Sequence, residues 1–138
     1  MTLSERAKYY YIDENMNCAV SILLAGSDVY NLGITKDDAR LLVGFGGGLG
    51  CGNLCGALAG AIAVLGKALL PEGTMRSPEF TDWCAEFTAA FNEKWGNTMC
   101  ATLKPEYAVP ELRCAKLVLG TADMLQEFID KVLAEKED

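Results

Sequence analysis

The chain has no histidine and no excess of basic residues, and each absence excludes a class of protein. Its 138 residues include 6 cysteines but no histidine. A serine–histidine triad, a His-Glu-x-x-His metalloprotease site and a haem attached through Cys-x-x-Cys-His are therefore excluded. The 12 Lys and Arg residues are outnumbered by 19 Asp and Glu residues, which gives a formal net charge of -7. Because such a surface repels phosphate backbones, we expect no nucleic acid partner.

The sequence also shows no targeting segment, internal repeat or domain linker. The N-terminal stretch "MTLSERAKYYYIDENMN" contains no basic region followed by an apolar run, so we expect a cytoplasmic protein. With 51% hydrophobic and 22% charged residues, residues 1–138 have the size and composition of a single globular domain. In a reducing compartment, the cysteines indicate metal binding, redox chemistry or buried packing rather than structural disulfides.

Helical periodicity dominates the chain, and β signals are weak. Asn15 or Asn17 can cap a helix that ends at Gly33, and Thr35 begins a short helix that runs to residue 43. A further helix is predicted over residues 53–69. Ser77 begins another, which runs to residue 95, and a turn covers residues 97–103. Pro110 is expected to open a long last helix. The fold class predicted is all-α, a bundle of about four main helices with short additional helices.

The uncharged stretch from residue 41 to residue 66 contains 9 glycines. These glycines break the apolar run below the length of about 20 residues that a membrane span needs, so we expect no stable membrane insertion. The stretch contains neither a complete Gly-x-Gly-x-x-Gly fingerprint nor a P-loop, so no nucleotide is expected. Gly52, Gly56 and Gly60 are predicted to form one helical ridge that lets a neighbouring helix approach closely.

Four cysteines fall close to predicted helix starts. Cys18, Cys55 and Cys100 follow capping residues, and Cys114 lies four residues after Pro110. Unpaired N–H groups and the helix dipole favour a thiolate at such positions. Cys84 lies within an aromatic helix stripe and is predicted to be a packing residue. For Cys51, packing and function are evenly balanced, so it remains a further candidate ligand.

The motifs that contain these cysteines resemble a known family. Asn-Cys-Ala at residues 17–19, "GFGGGLG" at 44–50, "CGALAGA" at 55–61, Cys100 and "RCAKLV" at 113–118 are similar to the C_GCAxxG_C_C family, which is described as redox-active. The resemblance runs from about residue 15 to residue 125. It implies that Cys18, Cys55, Cys100 and Cys114 are the shared functional cysteines, and that their chemistry is redox or cluster chemistry.

The leading hypothesis is therefore a redox-active protein with a cysteine site. The four thiols either bind an iron–sulfur cluster, zinc or another thiolate-liganded metal, or they cycle between dithiol and disulfide. No haem is expected. A redox partner protein would exchange electrons with the site. The alternatives are a structural zinc-binding module and a helical interaction module without catalysis, in which the glycine ridge or the last helix makes a homodimer.

Overall fold

The computed structural model describes residues 1–137, of which the majority are helical and none forms a strand beyond isolated bridges. The all-α class predicted from the sequence is confirmed. The arrangement as a bundle of four main helices stays a prediction. The seven α-helices are α1 (Leu3–Lys8), α2 (Cys18–Tyr30), α3 (Lys36–Ala39), α4 (Gly56–Leu69), α5 (Pro78–Trp95), α6 (Cys100–Tyr107) and α7 (Ala115–Glu137). A wider helical turn covers Tyr9–Asp13, and a tighter one covers Arg40–Phe45. The segment Gly48–Gly52 is irregular, because the backbone at Leu49, Gly50 and Cys51 is not helical.

Three helix starts follow from capping residues that the sequence indicates. The Asn17 side chain accepts a hydrogen bond of 2.9 Å from the N–H of Val20 at the start of α2. Thr35 and Asp38 form the reciprocal capping box that begins α3. Ser77 caps α5, with Pro78 in its first turn, and Gly96 ends that helix in the left-handed conformation. These local signals are therefore confirmed.

Two predicted helix starts are wrong by several residues. The last helix begins at Ala115 rather than at Pro110, because Val109 and Arg113 pair their backbones through reciprocal hydrogen bonds of 2.9 and 2.8 Å. This bridge makes residues 110–114 a turn. The helix predicted over residues 53–69 begins at Gly56, so Gly52 lies outside it with a φ of 76°. The glycine ridge therefore contains only Gly56 and Gly60.

Other boundaries also differ from the sequence prediction. The predicted turn over residues 97–103 is wrong, since α6 begins at Cys100 and runs through Pro105. Helix α2 ends before Asn31, which adopts the left-handed conformation, rather than at Gly33. The sequence analysis also did not predict α1, whose N-cap Thr2 accepts a hydrogen bond from the N–H of Glu5.

Helices α2 and α4 cross closely in the core. A Cβ atom on Gly60 would lie 2.6 Å from the carbonyl oxygen of Ala19, and one on Gly26 would lie 2.6 Å from Val64. Only glycine allows the two backbones to approach this closely, so packing accounts for Gly60. Helices α5 and α7 add fully buried side chains to the same core, among them Phe87, Phe91, Leu125 and Ile129. Of the helices formed by residues 1–137, none has both the length and the apolarity needed to cross a membrane.

Candidate functional site

All four predicted cysteines lie at the N-terminus of a helix. Cys18 is the first residue of α2, and Cys100 is the first residue of α6. Cys55 is the N-cap of α4, and Cys114 directly precedes α7. Each cysteine thus lies near a helix start as expected, although α4, α6 and α7 begin at residues other than those predicted. Each of these cysteines lies close to unpaired backbone N–H groups and the positive end of a helix dipole.

These four cysteines line one cavity of about 200 Å³. The structure therefore brings together residues that are separated by up to 96 positions in the chain (18 to 114). The other lining residues belong to the first helical turns, the glycine-rich segment and the core, namely Tyr11, Asn17, Gly47, Gly56, Ala57, Leu103, Lys104, Arg113, Leu117 and Val118. A single cavity thus contacts the starts of four helices.

A short backbone bridge holds Cys55 beside Cys100. The N–H of Cys55 donates to the carbonyl of Thr98 at 2.8 Å, and the N–H of Cys100 donates to the carbonyl of Asn53 at 2.6 Å. Gly48 packs against this bridge with a φ of 65°, and a Cβ atom there would lie 2.6 Å from the Cβ of Cys100. Only glycine fits at this contact. Together, the bridge and the close packing of Gly48 keep the starts of α4 and α6 next to each other at the cavity.

Two glycines make room around Cys18. A Cβ atom on Gly56 would overlap the Sγ of Cys18 and lie 2.9 Å from the carbonyl oxygen of Phe45. A Cβ atom on Gly46 would lie 2.9 Å from the Cγ of Asn17, whose amide also donates to the carbonyl of Val43 at 2.9 Å. Gly56 therefore differs from Gly60, since the atom it accommodates is a sulfur of the cavity.

Tyr11, in the N-terminal part of the chain, contacts the fourth cavity cysteine, Cys114. Its phenol oxygen accepts a hydrogen bond of 3.1 Å from the backbone N–H of Cys114. Its ring lies 3.9 Å from the Arg113 guanidinium, which also donates to the Tyr11 carbonyl. Tyr11 is only 4% exposed. The turn before α7 is thus fixed to the N-terminal segment.

Burial is the main influence on the pKa of three cavity thiols, those of Cys18, Cys55 and Cys114. It raises the pKa of Cys55 to about 11, against the opposing effect of the N–H groups of Ala57 and Leu58. Burial also raises the pKa of Cys18 and of Cys114. Negative charge on one cavity cysteine raises the pKa of its neighbours further. Without a cation between them, these buried thiols are therefore protonated at neutral pH.

The donor set fits a soft metal, but the sulfurs do not converge on one point. A tetrahedral zinc ion with Zn–S bonds of about 2.3 Å requires sulfurs about 3.7 Å apart. Among residues 1–137, no three cysteine, aspartate or glutamate side chains are grouped closely enough to hold a single ion. The four cysteines instead surround a space.

The other two cysteines lie apart from this cavity. Cys51 is exposed in the segment Gly48–Gly52, and its thiol faces the carbonyl of Gly48 at 3.6 Å. It does not line the cavity, and this position gives no support to its candidacy as a ligand. Cys84 lies half-buried in α5 and lines a different surface groove, beside Ile62 and Thr88. The packing role of Cys84 stays a prediction.

Sequence reasoning missed three side chains of the site. Tyr11 is one of three consecutive tyrosines, and nothing in the sequence distinguishes it from the others. Lys104 lies four residues after Cys100, a spacing that places both on one face of a helix, but that segment was predicted as a turn. Arg113 precedes Cys114 directly. Adjacency to a predicted cysteine is the one signal that could have found it.

Comparison with protein families gives a match over most of the chain. Residues 16–128 match a family model described as "Putative redox-active protein (C_GCAxxG_C_C)". The matched segment includes all four cysteines that line the cavity. Comparison with curated proteins gave no match, and comparison with solved structures gave none either. Because this family model matches most of the length of the chain, the chain belongs to the C_GCAxxG_C_C family.

Proposed function

We propose that this protein is a redox protein whose centre is an iron–sulfur cluster ligated by Cys18, Cys55, Cys100 and Cys114. The observation that carries the proposal is that four helix-start cysteines line one cavity. No carboxylate lines that cavity among residues 1–137, and the chain has no histidine. Thiolates are thus the ligands available, and iron–sulfur clusters are held by four of them.

The contribution of the chain is to hold four anionic sulfurs together. When bound, a cluster supplies one-electron transfer. The four helix N-termini stabilise negative charge at the sulfurs through their N–H groups and dipoles. Gly56 leaves space for the Cys18 sulfur, and the Cys55–Cys100 bridge fixes two ligands in one place. A partner protein that donates or accepts electrons completes the proposed function.

The raised pKa values favour metal ligation over thiol–disulfide exchange. A thiol attacks a disulfide as the thiolate, and Cys55 has a pKa of about 11, so little of it is ionised at neutral pH. Metal binding differs because the cation displaces the protons outright. It also relieves the repulsion between neighbouring thiolates. Burial of these cysteines thus opposes both reactions, but in ligation the bound cation offsets the cost of deprotonation.

Purification without oxygen tests the proposal. We expect visible absorption from the wild-type protein, and four thiols that resist alkylation until the metal is removed. A colourless protein that contains zinc would instead indicate a structural metal site. A colourless, metal-free protein that loses two thiols on mild oxidation would indicate dithiol cycling. Either of the last two results would overturn the cluster assignment.

A further inference from the structure

The cavity is positively charged in a negatively charged chain. Lys104 and Arg113 are the charged residues that line it among residues 1–137, and both are cations. The chain as a whole has a net charge of -7. Neither cation forms an ion pair with an aspartate or glutamate of the described residues. The charge of these two residues is therefore free to act on the contents of the cavity.

Both cations are positioned by the same elements that position the cysteines. Lys104 follows Cys100 by four residues on α6, so the two share a helix face. Arg113 has a left-handed backbone with a φ of 52°, an unfavourable conformation for a residue with a Cβ atom. The Tyr11 ring and carbonyl hold its guanidinium in place. These contacts fix the guanidinium of Arg113, which lines the same cavity as Cys114.

We propose that Lys104 and Arg113 are the counter-charges of the redox centre and raise its reduction potential. The inference rests on the proposed function, because it requires a thiolate-liganded centre. Four thiolates around a metal carry excess negative charge, and one electron from an external donor adds one further negative charge. Nearby cations stabilise the reduced state more than the oxidised state. Removal of either positive charge should therefore lower the midpoint potential.

The clearest variants change Lys104, which is exposed and makes no ion pair in the described part of the chain. Lys104→Gln removes one charge, and Lys104→Glu reverses it. Lys131→Gln and Lys131→Glu are matched controls, since Lys131 is exposed on α7 and does not line the cavity. A titration of the oxygen-free protein with dithionite and mediator dyes gives the midpoint potential of each variant.

We expect the midpoint potential to fall from wild type to Lys104→Gln and further to Lys104→Glu, with both Lys131 variants close to wild type. The difference should shrink at high ionic strength, because salt screens an exposed charge. Arg113→Gln should lower the potential, and Arg113→Lys should restore most of it, since the charge is retained. If the Lys104 variants have the same midpoint potentials as the corresponding Lys131 variants, the inference is wrong.

Zinc binding gives a second readout that does not depend on iron. The cavity thiols are not grouped for a single ion in the described residues, so zinc binding would have to draw them together. Such binding would release protons and leave an anionic complex, which nearby cations would stabilise. In the reduced, metal-free protein, we expect Lys104→Glu to weaken zinc affinity about tenfold, a typical cost for residues around metal ligands. Lys131→Glu should not weaken it. If the wild type and Lys104→Glu bind zinc with equal affinity, the counter-charge role is wrong but the proposed function is not affected. A wild-type protein that binds neither iron nor zinc would refute the proposed function itself.

Discussion

The phenol oxygen of Tyr11 accepts a hydrogen bond of 3.1 Å from the backbone N–H of Cys114, although 103 positions separate the two residues. This contact joins the N-terminal segment to the start of α7. The same tyrosine holds the Arg113 guanidinium against its ring. One buried side chain therefore fixes both a proposed ligand and a proposed counter-charge of the centre.

Tyr11→Phe should disturb the site as well as the stability of the fold. The substitution keeps the ring but leaves the N–H of Cys114 without its partner, at a cost of about 1–3 kcal/mol. Tyr10→Phe is the matched control, because it removes a hydrogen bond of 2.7 Å to Asp28 outside the cavity. Chemical denaturation should show a loss of stability in both variants. Faster metal release to a chelator is expected from Tyr11→Phe alone, and equal release rates would contradict the positioning role.

Gly56→Ala and Gly60→Ala should differ in their effect on the centre. Both substitutions overpack the α2–α4 contact, which costs about 1–3 kcal/mol. At Gly60 the new methyl group meets the carbonyl oxygen of Ala19, whereas at Gly56 it overlaps the Cys18 sulfur. We therefore expect similar losses in melting temperature but a changed midpoint potential or metal affinity only for Gly56→Ala. If the midpoint potential and the metal affinity are unchanged in both variants, Gly56 has only a packing role.

Cys84→Ala should retain the centre. This side chain lies half-buried on α5, outside the cavity, so the loss of its sulfur costs only about 1 kcal/mol of packing. Cys51→Ser, at an exposed position, should have even less effect on stability. Metal content per chain and the number of reactive thiols measure the outcome. Loss of metal from the Cys84 variant would overturn its assignment as a packing residue.

The metal-free protein should lose stability at alkaline pH. Burial raises the pKa of Cys55 from 9.0 to about 11, so the folded state binds its proton more tightly than the unfolded state does. The resulting stabilisation, on the order of 3 kcal/mol, is complete below pH 9 and disappears as the pH rises to about 11. Denaturation of the reduced protein at several pH values measures it. Cys55→Ala should show a weaker decline, and an identical decline would refute this cause.

The cysteine positions could be predicted because local chemistry determines them. Asn17 caps α2 through its own side chain, and Cys18 comes directly after it. Cys55 and Cys100 also lie at helix starts, but neither helix has a side-chain cap. The Asn53 and Asn97 side chains accept hydrogen bonds from N–H groups that precede the helices. The family resemblance identified the same cysteines from their order and spacing. Positions at helix starts are thus accessible to sequence reasoning when the cap lies within a few residues.

The rest of the site depends on contacts that no local pattern contains. Pro110 is a reasonable helix start, but the Val109–Arg113 bridge delays α7 to Ala115. The role of Tyr11 arises from a partner more than 100 residues away, so the three consecutive tyrosines are equivalent in the sequence. The overlap between a Gly56 methyl group and Cys18 likewise requires two helices to be placed first.

The central claim is tested most directly by measuring iron and acid-labile sulfide per chain. The measurement compares oxygen-free wild-type protein with the four single Cys→Ser variants of the cavity. The account predicts iron and sulfide in equal amounts in the wild type. It also predicts a marked loss of both in the serine variants of Cys18, Cys55, Cys100 and Cys114, but not in Cys84→Ser. A wild-type protein without iron, or iron content that the four substitutions leave unchanged, would contradict it.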